Sequence, residues 1–301
     1  MDYINSETVD VIKKALHVPI YDITNISVLK KGMTNRSFLF VCKGKRYIMR
    51  VPGEGTDKLI SREQEYEVYR KIEGLNICDN VVYFNSKDGC KISEYLEDAR
   101  VCDVNNKNDV QLCMQKLRFF HELNLQVPHT FDIFEKINFY ESLWGGKTLY
   151  EDYESTKLKV FELKDYIDAQ EKQWTLVHID AVPDNFLFVG DGEKEEVRLI
   201  DWEYAGMQDA CVDIAMFAIY AMYEREEVEY LIDTYYQGEC GKQNRLKIYC
   251  YIAACGLLWS NWCEYKRQLG IEFGEYSLRQ YCYAKEYYEI FQMERQGNGK
   301  K

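Results

Sequence analysis

Three side chains set the chemistry that this sequence could perform. Asp180 and Asn185 stand in the run His178-Ile179-Asp180-Ala181-Val182-Pro183-Asp184-Asn185, and Asp201 follows in Leu199-Ile200-Asp201-Trp202-Glu203. The pattern is H-x-D-x-x-x-x-N, then a hairpin, then an aspartate at the end of a strand. Phosphoryl transfer from ATP needs such a set. One carboxylate has to hold the accepting hydroxyl and take its proton. A carboxamide and a second carboxylate have to hold Mg2+, a hard cation that takes oxygen ligands, against the phosphates. Taken singly, each residue reads as a turn or capping residue. Their order, spacing and strand context together read as a kinase-type site.

Elements must hold these residues in place. The first third of the chain alternates apolar and polar residues over short runs, as strands do. Lys31-Gly32-Met33-Thr34-Asn35 separates the first run from the second, where a loop over nucleotide phosphates belongs. Lys43-Gly44-Lys45 marks a tight hairpin between the second and third. A helix is expected over 60–73 and strands over 81–84 and 91–95. Beyond about residue 97 the pattern turns helical, over 109–123, 131–143, 157–170, 209–223, 227–236, 242–265 and 276–294. Strand-like runs at 175–177, 185–189 and 197–200 interrupt the helices, and Gly190-Asp191-Gly192 turns the last two into a hairpin. The expected fold class is α+β with two lobes. Residues 1–96 form a small N-terminal β-sheet lobe plus helix, and 97–301 a large, mainly helical lobe with a β-hairpin inset.

Composition narrows the partners. Of 301 residues 47% are apolar and 29% charged, enough apolar material for a sizeable core and too much for a disordered chain. The net charge of −12, with no basic stripe, argues against nucleic-acid binding. Eleven cysteines without a C-x-x-C pair read as reduced thiols in a cytoplasmic protein. The N-terminal run MDYINSETVDVIKKAL does not read as a signal peptide. The longest apolar stretches, 214–223 and 248–259, are shorter than the roughly 20 residues a bilayer span needs, so no membrane partner is expected.

From about residue 29 to 288 the chain resembles the choline/ethanolamine kinase and aminoglycoside phosphotransferase group, which shares the protein-kinase-like fold. Within it the likeness is strongest to bacterial choline kinases. KGMTNRSF is similar to the nucleotide loop of that family, HIDAVPDN to its catalytic loop and LIDWEYAG to its metal-binding segment. The resemblance implies ATP and Mg2+ as cofactors. It makes Asp180 the catalytic base or the group that orients the hydroxyl, with Asn185 and Asp201 as metal ligands and His178 as support for the loop. Gly32, Thr34 and Asn35 would contact the nucleotide. Arg50, in YIMRVP, would hold phosphate where protein kinases use lysine. Its ion-pair partner on the following helix would be Glu65, with Glu63 and Glu67 as close competitors. Main-chain groups around Glu94 and Leu96 would hold the adenine. Asp213 matches an aspartate that braces the catalytic loop; a first-turn helix acid is the alternative. His121, in LRFFHEL, reads as structural.

The acceptor follows from ring chemistry. A quaternary ammonium has no N–H to donate, so aromatic faces and a carboxylate must recognise it. Trp259 and Trp262 are three apart on a helix and share a face. Tyr204 and Glu203 follow the metal-site aspartate, and Tyr281, with Tyr283 as its rival, lies on the last helix. In choline kinases the matching W-x-x-W pair and tyrosine line the choline pocket. The reading is an ATP-dependent phosphotransferase acting on the hydroxyl of choline by direct in-line transfer. Two alternatives keep the chemistry: an aminoglycoside phosphotransferase, whose site would use carboxylates such as Glu264, Glu272 and Glu275, or an ethanolamine kinase. A third is a non-catalytic nucleotide-binding module. The residues are silent on oligomeric state.

Overall fold

The computed structural model describes residues 6–31, 35–53, 56–145, 148–190, 192 and 195–297. Gly32, Met33 and Thr34 of the expected nucleotide loop, and Asp191 of the hairpin turn, lie outside the described residues. In chain order the elements are α1 (Ser6–Leu16), β1 (Ile23–Lys31), β2 (Asn35–Cys42), β3 (Lys45–Pro52), α2 (Arg62–Ile72), β4 (Val81–Phe84), β5 (Lys91–Glu94), β6 (Arg100–Val101), α3 (Lys107–Glu122), α4 (Ile133–Trp144) and α5 (Tyr153–Asp168). They continue with β7 (Trp174–Val177), β8 (Phe186–Val189), β9 (Glu196–Leu199), β10 (Gly206–Asp209), α6 (Cys211–Tyr220), α7 (Arg225–Tyr236), α8 (Lys242–Gln268) and α9 (Glu275–Gln296). The chain divides into two compact units, 1–101 with 185–205, and 102–184 with 206–301.

The first unit is built on an antiparallel sheet in the order β1-β2-β3-β5-β4. Alternation along β2 buries Phe38, Phe40 and Cys42, which pack with Met49, Ile92 and Ile12 of α1. Helix α2 starts at Ser61, whose hydroxyl accepts from the Gln64 N–H. It buries Arg62, Glu65, Val68, Tyr69 and Ile72, a three-to-four spacing that sets two charged residues on the inward face. A second sheet, β6-β8-β9, belongs to the same unit. This moves the expected division at 96/97. Arg100 and Val101 pair with Phe188 and Leu187, and the Leu199 N–H bonds to the Ile77 carbonyl at 2.8 Å. Main-chain bonding therefore ties the 185–205 hairpin to the first unit rather than to the helical one.

The second unit packs α4, α5, α6 and α9 against α8. The middle of α8 is buried on every side, as an apolar-all-round helix must be. Gly256 lets α9 close in: a β-carbon there would stand 2.6 Å from the Gln280 carbonyl oxygen and 2.8 Å from the Tyr283 Cβ. The helix expected from residue 209 starts later, and Gly206–Asp209 form strand β10. Its main chain instead pairs with β7, Gly206 opposite Val177 through Asp209 opposite Trp174, and α6 begins two residues later. Among the described residues no helix is long and apolar enough to cross a membrane. All eleven cysteines are described and all are free thiols.

Candidate active site

In the first unit, five charged side chains from three separate stretches of sequence form one cluster. Arg50, on β3, pairs with Glu65 of α2, reaches Asp201 Oδ1 at 3.1 Å and lies 3.8 Å from Glu203. Of the three candidate partners on α2, Glu65 is buried while Glu63 and Glu67 are exposed. Arg62 donates to Glu65 Oε2 at 3.0 Å, to Glu203 Oε2 at 3.4 Å and to the Thr56 hydroxyl at 3.0 Å. Asn35 donates to Glu203 Oε2 at 2.8 Å. Arg62 reaches the cluster by running beside Gly89, whose φ is +71°. A β-carbon there would sit 2.5 Å from Arg62 Cδ, so this turn has no room for a side chain.

The electrostatics follow from three carboxylates sharing two guanidinium groups. Burial and the Asp201 charge push the Glu203 carboxyl up to about 7, although Arg50 pulls it down. Burial acts to lower Arg50, but Glu65, Asp201 and Glu203 outweigh it and hold the guanidinium above the usual arginine range. Oxygens of Glu65, Asp201 and Glu203 lie within 4.8 Å of one another. Asp201 alone keeps access to solvent, its side chain 34% exposed against 0% for Glu65 and 2% for Glu203. Asn185 comes close through the main chain, since the Ile200 N–H bonds to the Asn185 carbonyl at 3.0 Å. Asp201 takes a left-handed backbone, φ 67°, which a non-glycine residue rarely adopts. Glu65 and Glu203 are held by Arg50 and Arg62, which leaves the Asp201 carboxylate and the Asn185 amide oxygen as oxygen donors of the kind that a hard divalent cation such as Mg2+ takes.

In the second unit, the loop that carries Asp180 is clamped by one carboxylate. Asp213, fully buried in the first turn of α6, accepts the His178 N–H at 2.8 Å and the Ile179 N–H at 2.7 Å. Its Oδ2 also meets His121 Nε2 at 2.9 Å, and His121 Nδ1 meets the Tyr235 hydroxyl at 2.8 Å. His121 is therefore part of the brace. Ile179 has φ 68°, an outlier for a β-branched residue. Such a conformation costs on the order of 1–3 kcal/mol and persists only where neighbours over-determine it. The Asp213 clamp does so. The Tyr220 hydroxyl donates to Asp180 Oδ1 at 2.7 Å.

Next to Tyr220 lies a series of rings. Tyr220 and Trp259 have centroids 5.6 Å apart, Trp259 and Trp262 5.7 Å at 78°, and Trp262 and Phe273 5.2 Å. Tyr276 continues it at 6.2 Å from Phe273. Burial, with Cys263 and the Asp180 carboxylate adding to it, pushes the Tyr276 phenol well above its usual range. The Trp259 indole N–H points to Met216 Sδ at 3.0 Å.

The remaining expected site residues have the following surroundings. Glu203 is committed to the charged cluster. Tyr204 is buried in the first unit. Tyr281 stacks on Tyr150 at 3.8 Å and 7°, and its hydroxyl bonds to Asp152 at 2.8 Å and Thr156 at 2.9 Å. Tyr283 is buried with its hydroxyl on the Tyr223 carbonyl at 2.7 Å. The Glu94 and Tyr95 N–H groups already serve the sheet, bonding to the carbonyls of Asn80 at 2.9 Å and Arg46 at 3.0 Å. Leu96 follows, half-buried. Sequence reasoning missed Arg62 and Tyr220. The available signal for Tyr220 was its spacing, two turns after Asp213 on one helix face.

Comparison with known proteins identifies the family. Residues 26–256 match the Choline/ethanolamine kinase family. Protein LicA of Haemophilus influenzae strain Rd is 27% identical over 268 residues, covering 82% of this chain and 95% of its own. The crystal structure of choline kinase LicA from Streptococcus pneumoniae superposes with a TM-score of 0.79 at 28% identity, covering 95% of this chain and 100% of that one. LicA has also been solved in complex with AMP, with the same similarity. A thermostable mutant of aminoglycoside phosphotransferase APH(4)-Ia shares the fold alone, with a TM-score of 0.62 at 14% identity over 95% of this chain and 99% of that one. With the family matched over most of its length, this chain is an enzyme of protein-kinase-like fold and belongs to the choline/ethanolamine kinase family.

Proposed function

We propose that the protein is an ATP:choline phosphotransferase whose product is phosphocholine, working in the cytoplasm. The observation that carries this reading is the Arg50–Glu65 pair with Asp201 beside it, the arrangement that a phosphate-holding cation on β3 requires. Arg50 grips phosphate oxygens and Glu65 fixes its direction. Gly32, Thr34 and Asn35 belong to the nucleotide loop, and the main chain at Glu94–Leu96 to the adenine. Asn185 and Asp201 would hold Mg2+, which supplies charge neutralisation of the phosphates when bound. Asp180 orients the acceptor hydroxyl and receives its proton. The hydroxyl oxygen bonds to the γ-phosphorus as the bond from that phosphorus to the ADP oxygen breaks, with no phospho-enzyme.

The rings of Trp259 and Trp262, with Phe273 and Tyr276, favour a quaternary ammonium over a polycationic sugar. Each face contributes about 0.5–2 kcal/mol to cation binding. The carboxylates that an aminoglycoside would need do not gather there. Glu264 is buried on Arg267 at 3.0 Å and on the Leu149 N–H at 3.2 Å, while Glu272 and Glu275 are exposed.

The experiment is ADP release with choline, ethanolamine and kanamycin in parallel, on wild type and Asp180→Asn. Choline is expected to give the highest kcat/KM, and Asp180→Asn to lower kcat by roughly a thousandfold while nucleotide affinity holds. Turnover with kanamycin and none with choline would overturn the acceptor. A wild-type kcat in Asp180→Asn would overturn the base.

A further inference from the structure

Helix α6 touches the catalytic loop twice. Near its start, Asp213 takes the N–H groups of His178 and Ile179. At its last residue, Tyr220 gives its hydroxyl proton to Asp180 Oδ1 at 2.7 Å. Seven residues of helix separate the two contacts, about 10 Å along the axis. The loop is thus fastened to α6 at two points, by its main chain at Asp213 and by the Asp180 side chain at Tyr220.

The fastening at Tyr220 differs in kind from that at Asp213. Asp213 fixes main chain and would do so whatever residue stood at 180. Tyr220 fixes the carboxylate itself. An aspartate turns freely about its last torsion unless an oxygen is held, and a hydroxyl on Oδ1 sets the direction of both oxygens. The ring of Tyr220 is itself confined, lying 5.6 Å from Trp259, whose indole N–H is held by Met216.

We propose that Tyr220 is a positioning residue for the transfer step: its hydroxyl holds the Asp180 carboxylate in the one orientation that meets the acceptor hydroxyl. This rests on the reading of Asp180 as the group that takes the acceptor's proton. Tyr220 keeps its own proton throughout and joins no bond to substrate. Because the same side chain packs on Trp259, it ties the ring wall to the base through one rigid group, so the ring and the hydroxyl have separable effects.

The test is steady-state kinetics with ATP and choline on four proteins: wild type, Tyr220→Phe, Asp180→Asn and the double variant. Tyr220→Phe keeps the ring. It is expected to lower kcat by about tenfold or more, to leave both KM values within about threefold, and to melt within about 2 °C of wild type. In the Asp180→Asn background the same change is expected to lower the residual kcat less than about twofold, because a group that acts only through Asp180 has nothing left to position. Tyr220→Leu, which removes the ring as well, is expected to raise the choline KM in addition.

A wild-type kcat in Tyr220→Phe, with Asp180→Asn impaired, would overturn the positioning role and leave the base intact. An equal loss in both backgrounds would overturn it too, because the hydroxyl would then act independently of Asp180. A wild-type kcat in Asp180→Asn would overturn the reading of the base, and the proposal with it.

Discussion

In the proposed reading, the two units hold a charged reactant by opposite means. The first gathers Arg50, Arg62, Glu65, Asp201 and Glu203 into a network in which each ion has at least one partner of opposite sign. The second lines Tyr220, Trp259, Trp262, Phe273 and Tyr276 ring to ring. Phosphate is small, highly charged and directional, and a guanidinium fork matches it. A quaternary ammonium is large and weakly hydrated with no direction of its own, and ring faces suit it. The difference predicts how each region fails. Taking one member from a buried ion network frees the direction of every group it held, whereas taking one ring from an aromatic wall removes one increment of attraction.

Between the ion network and the ring wall, the larger effect should therefore come from the network. Glu65→Gln keeps shape and removes charge. Arg50 would retain Asp201 and Glu203 but lose the partner that fixes its direction. We expect kcat/KM for ATP to fall about a hundredfold, roughly 3 kcal/mol, with the choline KM unchanged. Equal changes in both KM values would mean that the ion network and the ring wall are not separate devices.

Trp262→Leu is the matching change in the second unit and should be smaller. The loss of one face predicts a choline KM about tenfold higher, in the range of 1–2 kcal/mol, with the KM for ATP unmoved. A lowered melting temperature at constant choline KM would instead assign Trp262 to the core, a role its burial also allows.

How far these regions can be read from sequence differs for a physical reason. The strands around Arg50 and the helix carrying Glu65 announce themselves by period, and the burial of Arg62, Glu65 and Val68 follows from the same three-to-four repeat. Spacing alone left Glu63, Glu65 and Glu67 level, because the start of α2 fixes which of them faces in. Arg62 was invisible: an arginine in the first turn of a helix normally faces water, and only the bare turn at Gly89 gives it a way inward. Strand β10 carries no β-branched residue, so nothing local marks Gly206–Asp209 as extended; its pairing with β7 does. Helix α1 and strand β6 were likewise unmarked, the second being only two residues long. Aromatics were the least legible group. With 25 tyrosines in the chain, residue type says little about which tyrosine meets a ligand. Spacing sets Tyr220 on the helix face of Asp213, and the hydroxyl contact to Asp180 then singles it out.

Tyr281 shows the same limit from the other side, and it carries the smallest predicted effect. Sequence placed it with the acceptor rings. In the structure its ring is covered by Tyr150 and its hydroxyl is shared between Asp152 and Thr156, so α9 uses it to hold α5. Removing only the oxygen isolates that role. Tyr281→Phe keeps the stack and loses a hydroxyl with two oxygen partners, which predicts about 1 kcal/mol of stability lost and a melting temperature lower by a few degrees at most, about 2–4 °C. The choline KM should not move, and neither should its preference over ethanolamine. The opposite pattern, a severalfold rise in choline KM at an unchanged melting temperature, would return Tyr281 to the ring wall. It would also mean that the acceptor's cation uses the face of Tyr281 that Tyr150 leaves open, since a stack covers one face of a ring only.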